Sequence, residues 1–515
     1  MPTLTTMITV LLEFCHILMY TYEKTNKEKI MENITDINQI KMAVLIKTAQ
    51  YAFEGTLDEK QENIPYELTD PIKPNFRCCV YREREIIRQR VRLAMGRIPS
   101  NLHYEKSDNT QIVHVMQAAC EGCPIDRFTV TSNCHNCLAQ KCIKACKFGA
   151  ITKTPQGAYI DKSKCKKCGQ CLKACPYHAI VDIERPCKVT CPVDAVQIDE
   201  NDLAMIDEAK CINCGQCVVA CPFGAIGDAS MMTNVINSIR TSDNVYAMIA
   251  PAIEGQFGDV TVPQLKEAIK ALGFKDCLEV ALGADVVAWR EAEEVVANIK
   301  DGKKTTTSCC PAFVNLIEKH FPQLKENIST TVSPMVATAR LIKASNPDAE
   351  IVFIGPCIAK KNEVVSHYLG EISGAITFEE LSAMFTVKEI DPASFTGENE
   401  EATCYGKGFA KSGGVTTAVL KVVEEENIDL DIKACKCSGA AECKKALQML
   451  KVGRLPEDII EGMACEGGCI NGPGKVTDGI MQSKKIFDKY VKVPNTEIIA
   501  NSEKAGFADI NIHKH

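Results

Sequence analysis

Two runs of four cysteines with identical spacing are the part of this sequence best suited to chemistry. They lie in "CKKCGQCLKACP" and "CINCGQCVVACP" and consist of Cys165, Cys168, Cys171 and Cys175, and of Cys211, Cys214, Cys217 and Cys221. In the spacing C-x2-C-x2-C-x3-C-P, three thiolates bind one four-iron cube and the fourth binds a second cube. Zinc also accepts four thiolates, but zinc sites typically use two separated C-x2-C pairs. The two full runs therefore predict [4Fe–4S] clusters.

Partial runs surround the full ones and supply eight more candidate ligands. These are Cys120, Cys123, Cys134, Cys137, Cys142, Cys146, Cys187 and Cys191. If the fourth cysteine of each run binds a neighbouring cluster, three sets are predicted. The first set is Cys134, Cys137, Cys142 and Cys175. The second is Cys165, Cys168, Cys171 and Cys146, and the third is Cys211, Cys214, Cys217 and Cys191. The remainder, Cys120, Cys123, Cys187 and Cys221, would hold a fourth cluster. The alternative is that Cys120 and Cys123 are plain buried thiols, so two to four such clusters are expected.

The composition is typical of a long chain that keeps its thiols reduced. The chain has 515 residues, 29 of them cysteine, and a formal net charge of −7. A secreted disulfide scaffold would be short, and these cysteines have metal-binding spacings, so a reducing, cytoplasmic location is expected. The mild negative charge argues against a protein whose main role is to bind nucleic acid.

The first thirty residues raise the question of a membrane segment. Their apolar run contains Glu13 and His16 and has no positive segment ahead of it, which argues against an anchor or a signal sequence. Membrane association is therefore not expected. Met31 opens a more ordinary polar helix and provides an alternative start of the chain.

Four regions are expected along the chain. Residues 1–115 are predicted to be helical, 116–230 to form an α+β ferredoxin-like domain with several clusters, 243–495 to form one large α/β domain, and 496–515 to be a C-terminal tail. In the large domain, "NVYAMIAPAI" and "AEIVFIGPCIAKK" are predicted to be buried strands that run into loops. "SPMVATARLIKAS" is predicted to be a helix. Such alternation of strand, loop and helix is typical of an α/β domain.

Four more cysteines lie in three motifs of the large domain. Cys310 is in "TSCCPAF", Cys357 is in "GPCIAKKNE", and Cys465 and Cys469 are in "EGMACEGGCINGPG". In this order the motifs resemble the three fingerprints TSCCPxW, MPCxxKxxE and ExMACxxGCxxGG of the [FeFe]-hydrogenase family. Three ordered motifs are far more specific than any one of them alone.

The resemblance implies a fold, a cofactor and a set of ligands. The catalytic domain is expected to have twisted sheets flanked by helices, with the cofactor between two lobes. The four motif cysteines would hold the cubane of an H-cluster, and Cys469 would bridge it to a two-iron subsite with CO, CN⁻ and a dithiolate bridge. Lys360 matches the lysine expected to hydrogen-bond a cyanide. Ala250 and Pro251 match the stretch that lines the subsite, and Met463 matches a methionine beside it.

The first cysteine of the "CC" pair is not a ligand in the family. The resemblance makes Cys309 the proton donor and acceptor at the bridge amine, and a thiol with a pKa of about 8.5 suits that role with modest tuning. The family relay to water runs through a glutamate, a serine and a second glutamate. We expect Glu291, Ser333 and Glu294 to supply it, because the two glutamates are spaced i, i+3 on one side of a helix. Taken alone, the glutamates would be interpreted as a solvated helix face.

Several positions depart from the fingerprints. Phe313 replaces the tryptophan, Gly355 replaces the methionine before Pro356, and Ala252 stands where a serine is common. "NGPGKV" replaces the glycine-rich tail. Such changes affect the surroundings of the cofactor, which set its potential and its accessibility.

The activity that the resemblance implies is 2H⁺ + 2e⁻ ⇌ H₂, of the ferredoxin-hydrogenase type, with electrons relayed through the [4Fe–4S] clusters to ferredoxin. Dedicated maturation enzymes would install the two-iron subsite. Two other interpretations remain open. One is a hydrogen-sensing protein with low turnover, and the other is a non-catalytic iron–sulfur carrier or assembly factor without the subsite, which would not need Cys309, Lys360 or the glutamate relay.

Overall fold

The computed structural model describes residues 36–99, 110–123, 127–397, 402–477, 485, 487–489, 491–492 and 495–514. The expectations about a membrane anchor and about the alternative start at Met31 concern residues outside these ranges. Within the described ranges, no helix is both long enough and apolar enough to span a bilayer.

Helices fill the described N-terminal region, as the sequence predicts. They are α1 (Ile37–Glu54), α2 (Leu57–Lys60), α3 (Ile64–Glu67) and α4 (Val80–Ala94). The Asp36 carboxylate accepts backbone N–H groups of the first turn of α1, and Gly55 ends that helix in the left-handed region. Ile87, Val91 and Ala94 share one face of α4 and are buried. The apolar faces of α1 and α4 join the main hydrophobic core of the chain.

Short strands and one-turn helices carry the cysteine runs. The strands are β1 (Val113–Val115), β2 (Phe128–Val130), β3 (Ile151–Thr154), β4 (Gly157–Ile160), β5 (Ile180–Asp182), β6 (Val196–Ile198), β7 (Ala204–Ile206) and β8 (Ile226–Asp228), and the helices are α5 (Lys141–Ala145), α6 (Gln170–Ala174), α7 (Pro186–Val189) and α8 (Gln216–Ala220). The strands pair antiparallel as β1 with β8, β2 with β5, β3 with β4 and β6 with β7. This is the α+β ferredoxin-like arrangement. Because β1 pairs with β8, the unit includes Val113, which the expected boundary at residue 116 left outside.

Two parallel sheets form the centre of the large domain. Their strands are β9 (Val245–Ile249), β10 (Asp276–Glu279), β11 (Thr305–Thr306), β12 (Glu350–Ile354), β13 (Gly374–Ile376), β14 (Ala434–Ser438) and β15 (Ile459–Met463). One sheet has the order β10-β9-β12-β13 and the other has the order β11-β15-β14. The two predicted strands are confirmed as β9 and β12, whose near-continuous apolar character suits a parallel sheet that is covered on both faces.

Helices flank the two sheets. They are α9 (Met232–Thr241), α10 (Val262–Ala271), α11 (Val280–Lys300), α12 (Pro311–His320), α13 (Pro334–Ser345), α14 (Ile358–Glu363), α15 (Phe378–Lys388), α16 (Cys404–Gly408), α17 (Gly414–Glu425), α18 (Ala440–Lys451) and α19 (Ile498–Lys504). The helix predicted from "SPMVATARLIKAS" is confirmed as α13. The expectation of a C-terminal tail is wrong for the described residues, because Ile498, Phe507 and Ile512 are buried in the main core and His513 forms a β-bridge with Thr331.

Candidate metal centre and proton path

The loops that follow four strands of the two sheets meet at one cavity. In proteins with open parallel sheets, ligands bind beyond the carboxyl ends of the strands. Here the motif residues directly follow strands β9, β11, β12 and β15. The cavity contains about 790 Å³ of space free of protein atoms. Its lining includes all nine residues predicted to surround the H-cluster, which are Ala250, Pro251, Cys309, Cys310, Cys357, Lys360, Met463, Cys465 and Cys469.

Four of these residues are the cysteines predicted to hold a cubane. Burial first, and then the charge of Cys310, raises the pKa of Cys357 to about 11. The pKa values of Cys465 and Cys469 are raised further, again by burial first and then by the charges of their cysteine neighbours. Thiolates that crowd together in a dry cavity repel one another unless a cation lies among them. The residues therefore fit a metal cluster of the kind that the motifs imply.

Lys360 brings a fixed positive charge to the wall of the same cavity. Its Nζ lies 2.6 Å from Glu363 Oε2, and both side chains are about one-tenth exposed. This buried ion pair holds the ammonium group in place one helical turn after Cys357. A fixed ammonium group in a water-poor cavity stabilises a bound anion strongly, so the geometry suits a cyanide ligand. Glu363, which orients the lysine, was not among the predicted site residues, although it occupies the final position of the second motif.

Cys309 is a partly buried thiol near a fully buried carboxyl group. Burial first, and then the charge of Glu291, raises the pKa of Cys309 well above its usual value. Glu291 lies on α11 and is fully buried. Burial first, and then the charge of Glu294, raises the pKa of Glu291 to about 8. Both groups therefore hold a proton at neutral pH, and Glu291 can exchange its proton within the physiological range.

Ser329, rather than Ser333, lies between the two glutamates. The Oγ of Ser329 donates to Glu294 Oε2 at 2.8 Å, and the same hydroxyl group lowers the pKa of Glu291, against the larger effect of burial. Ser333 Oγ and both carboxyl oxygens of Glu291 are buried and have no hydrogen-bond partner among the described residues. The relay role expected of Ser333 is therefore better filled by Ser329, which contacts Glu294 directly. Ile328 forms a β-bridge with Thr306, which carries Ser329 alongside the strand that leads to Cys309, whereas Ser333 is the N-cap residue of α13.

Glu294 lies at the outer end of this row of side chains. It is partly exposed and also accepts hydrogen bonds from the backbone N–H of Thr330 at 3.0 Å and from its Oγ1 at 3.2 Å. Thr330 is exposed. Cys309, Glu291, Ser329 and Glu294 thus lead in order from the cavity to the surface.

The accessory cysteines meet in the predicted sets. Cys146, Cys165, Cys168 and Cys171 line a cavity with about 310 Å³ of atom-free space, and Cys191, Cys211, Cys214 and Cys217 line one of about 330 Å³. The pKa of Cys142 is raised by burial and then by the charges of Cys175 and Cys137. The pKa of Cys187 is raised by burial and then by the charges of Cys221, Cys123 and Cys120. The four cysteines of the expected fourth set therefore also lie near one another.

Two of the accessory sets line a cavity, and backbone N–H groups donate to some of the accessory sulfurs. Among the described residues, no three potential ligands converge closely enough to hold one metal ion. The thiols of the two sets that line cavities instead lie around a larger space. Backbone N–H groups also donate to the sulfurs of Cys146 at 3.4 Å, Cys191 at 3.2 Å and Cys221 at 3.3 Å, and such hydrogen bonds tune the potential of iron–sulfur clusters.

One accessory set adjoins the large cavity. Burial, and then several neighbouring charges that include those of Cys211 and Cys310, raise the pKa of Cys214 to about 12. Cys214 also packs with Cys310 and Cys357 against one small group of buried alanines. The set that contains Cys214 is therefore the accessory set next to the candidate cubane.

Two of the departures from the fingerprints have a packing explanation. A Cβ at Gly355 would lie 2.5 Å from Cζ of Phe353, and Phe353 lines the cavity. The ring of Phe353 thus occupies space that a side chain at position 355 would need. A Cβ at Gly462 would lie 2.2 Å from Cδ1 of Phe313, so this glycine lets the phenylalanine lie flat against β15.

Comparisons with known proteins agree with this geometry. Residues 243–473 match the family model described as the C-terminal domain of the iron only hydrogenase large subunit, and residues 158–181 and 204–227 match the 4Fe–4S binding domain. The chain is 29% identical over 296 residues to the periplasmic [Fe] hydrogenase large subunit of Nitratidesulfovibrio vulgaris, which covers 46% of this chain and 70% of the relative. It is 29% identical over 397 residues to iron hydrogenase 1 of Clostridium pasteurianum, over 65% of this chain and 67% of the relative.

A third relative has a different description. The chain is 24% identical over 238 residues to a probable cytosolic Fe–S cluster assembly factor of Brugia malayi, over 37% of this chain and 53% of the relative. The match to the iron only hydrogenase domain, the two 4Fe–4S segments ahead of it and the cavity that collects the motif cysteines lead to one assignment. Residues 243–473 form an iron-only hydrogenase domain, and ferredoxin-type [4Fe–4S] segments precede it.

Proposed function

We propose that this chain catalyses the reversible reaction 2H⁺ + 2e⁻ ⇌ H₂ as a cytoplasmic enzyme. The observation that carries the proposal is the position of Cys309, a partly buried thiol outside the proposed ligand set, which lines the same cavity as the four candidate ligand cysteines and lies near Glu291. A protein that only carried or assembled iron–sulfur clusters would have no need for a proton-exchanging group at this place.

The ligand residues would hold the H-cluster in this cavity. Cys310, Cys357, Cys465 and Cys469 would bind its cubane, and Cys469 would also bridge to the two-iron subsite. When bound, the cofactor supplies the iron centre at which protons and electrons combine, and dedicated maturation enzymes would install its two-iron part. Lys360 would donate a hydrogen bond to an anionic ligand of that part. Ala250, Pro251 and Met463 would exclude water from it.

The protons would pass through side chains of this chain. In H₂ formation, Cys309 would give its Sγ proton to the cavity and regain one from Glu291. Glu291, whose pKa is raised by burial to about 8, can hold and release a proton near neutral pH. The hydroxyl group of Ser329 can donate one proton while it accepts another, so it would connect Glu291 to Glu294 at the surface. H₂ oxidation would use the same groups in reverse order.

The electrons would pass through the accessory clusters. Each of the four cysteine sets would hold one [4Fe–4S] cluster, and the set that contains Cys214 would exchange electrons with the cubane because it adjoins Cys310. Ferredoxin, or a similar low-potential carrier, would supply or remove the electrons.

Infrared spectroscopy and turnover assays together test this proposal. The protein is produced with and without maturation enzymes, its iron is counted, and hydrogen evolution and uptake are measured. We expect bands of bound CO and CN⁻ only in the matured protein, accompanied by turnover. The absence of such bands would favour a carrier or an assembly factor, as described for the Brugia malayi relative, and bands without turnover in cluster-loaded protein would favour a hydrogen sensor.

A further inference from the structure

The two full cysteine runs have the same backbone but opposite surroundings. Gly169 and Gly215, at equivalent positions of the runs, both have φ of 74° and ψ of 2°. Ile212 and Asn213 of the inner run are 1% and 4% exposed, because this run packs against the large domain. The equivalent residues of the outer run are Lys166 and Lys167, and both are exposed. Cluster binding alone therefore does not explain the lysines of the outer run.

Charge is strongly segregated between the two cluster-binding segments. Residues 131–182 contain nine lysines, no arginine and two acidic residues, a net charge of +7 in a chain of net charge −7. Residues 187–228 contain two lysines and seven acidic residues, a net charge of −5. All nine lysines of the first segment are exposed, namely Lys141, Lys144, Lys147, Lys153, Lys162, Lys164, Lys166, Lys167 and Lys173. We call residues 131–182 the outer cluster surface.

The outer cluster surface also exposes apolar side chains. Leu138 is 91% exposed, Tyr159 54%, Tyr177 49% and Phe148 48%. Its two acidic residues are too few to offset nine lysines. Asp182 pairs with Arg127 from outside the segment at 3.1 Å, and Asp161 pairs with Lys164 at 3.4 Å. Exposed aromatic and aliphatic groups among charged ones are typical of protein–protein interfaces.

A candidate cluster ligand reaches the surface at the same place. Cys168 is exposed, whereas Cys214, its equivalent in the inner run, is not. An electron carrier must come close to a cluster to exchange electrons with it. The outer cluster surface therefore combines access to a cluster, positive charge and apolar contact groups.

We propose that the outer cluster surface is the docking site of an acidic one-electron carrier protein. This deepens the proposed function and rests on it only in treating the clusters as electron carriers. In each encounter one electron passes from the reduced carrier to an outer cluster, which changes from [4Fe–4S]²⁺ to [4Fe–4S]⁺ while the carrier is oxidised. No atom is transferred. The lysines attract the acidic carrier and raise the rate of encounter.

Rapid mixing with a reduced, acidic plant-type [2Fe–2S] ferredoxin, a one-electron carrier whose spectrum differs from that of [4Fe–4S] clusters, tests this docking site. The protein is produced with its [4Fe–4S] clusters but without maturation enzymes, so that the readout, the absorbance change of its clusters, does not require hydrogen chemistry. The test variant combines Lys144→Glu, Lys153→Glu and Lys173→Glu. The control combines Lys300→Glu, Lys303→Glu and Lys325→Glu, three exposed lysines of the large domain. A third variant changes the three test lysines to Gln.

We expect the second-order rate constant at low ionic strength to fall by about tenfold or more in the test variant, as loss of electrostatic steering predicts. The Gln variant should show a smaller loss, the control less than a twofold change, and the dependence on salt should weaken in the test variant. Iron content and reduction by dithionite should match the wild type, which shows that the clusters are intact.

Equal rates in the test variant and the control would overturn the proposal. It would also be overturned if duplex DNA bound the wild type tightly while the test variant kept its full rate with ferredoxin, since the surface would then serve nucleic acid. Fast cluster reduction that depends on the lysines, in a protein that shows no hydrogen turnover after maturation, would support the docking site and contradict the proposed function.

Discussion

Ser329→Ala removes a buried hydroxyl group that contacts Glu294 and lies near Glu291. The Oγ of Ser329 donates to Glu294 at 2.8 Å, and alanine leaves nothing at that place to pass a proton. Proton transfer by a positioned side chain is worth about 10² to 10⁴ in rate, so we expect turnover to fall by about a hundredfold or more. The lost hydrogen bond to a carboxylate should also lower the free energy of unfolding by about 1.5–3 kcal/mol.

Ser333→Ala is the matched control, because Ser333 is equally buried and only four residues away. Its hydroxyl group has no partner among the described residues, so its removal should leave turnover unchanged and stability unchanged or higher by about 1 kcal/mol. The assay is hydrogen evolution from reduced methyl viologen by matured protein, with infrared spectra to show that the cofactor is intact. Full turnover in the Ser329 variant, or an equal loss in the Ser333 variant, would refute the order of the relay.

Three further predictions concern buried groups. Burial raises the pKa of Glu291 from 4.5 to about 8, so the wild type loses stability as the pH rises over that interval. The melting temperature of Glu291→Gln relative to that of the wild type should therefore rise from pH 4.5 to pH 8. A difference that stays constant with pH would contradict this. Lys361→Met removes the cation whose Nζ lies 2.8 Å from the carboxylates of Asp228 and of Glu380, and leaves the weaker interaction of these groups with Lys41. It should cost about 3–5 kcal/mol in chemical denaturation, whereas Lys303→Met should stay within about 0.5 kcal/mol. Gly355→Met should cost about 1–3 kcal/mol through collision with Phe353, and much of that loss should return when Phe353→Ala is added; no recovery would argue against the packing explanation.

The grouping of the candidate ligand cysteines can be predicted from the sequence because their spacing reflects a local requirement. Three thiolates of one loop and one from another run are enough to define a set. Two of these sets line cavities, one with Cys146 and Cys165 among its members and the other with Cys191 and Cys211. The buried strands β9 and β12 are equally predictable, since a near-continuous apolar run in an α/β pattern favours a parallel sheet.

Long-range contacts limit the rest of the prediction. Residues 328–333 contain two serines, and the β-bridge between Ile328 and Thr306, which no local pattern shows, determines that Ser329 meets the glutamates. The role of Gly355 depends on the position of the Phe353 ring and could not be derived from an isolated glycine. The last residues of the chain are polar overall, and their few apolar side chains, such as Phe507, gave no sign that they complete the main core.

Exchange between H₂ and D₂O tests most directly the claim that Cys309 serves protons at the cofactor. The formation of HD is followed by mass spectrometry for matured wild-type protein and for Cys309→Ser, with infrared spectra of both. We predict HD formation by the wild type and a loss of about a hundredfold or more in the variant, with CO and CN⁻ bands present in each. Exchange at the wild-type rate by a variant that carries the intact cofactor would contradict it.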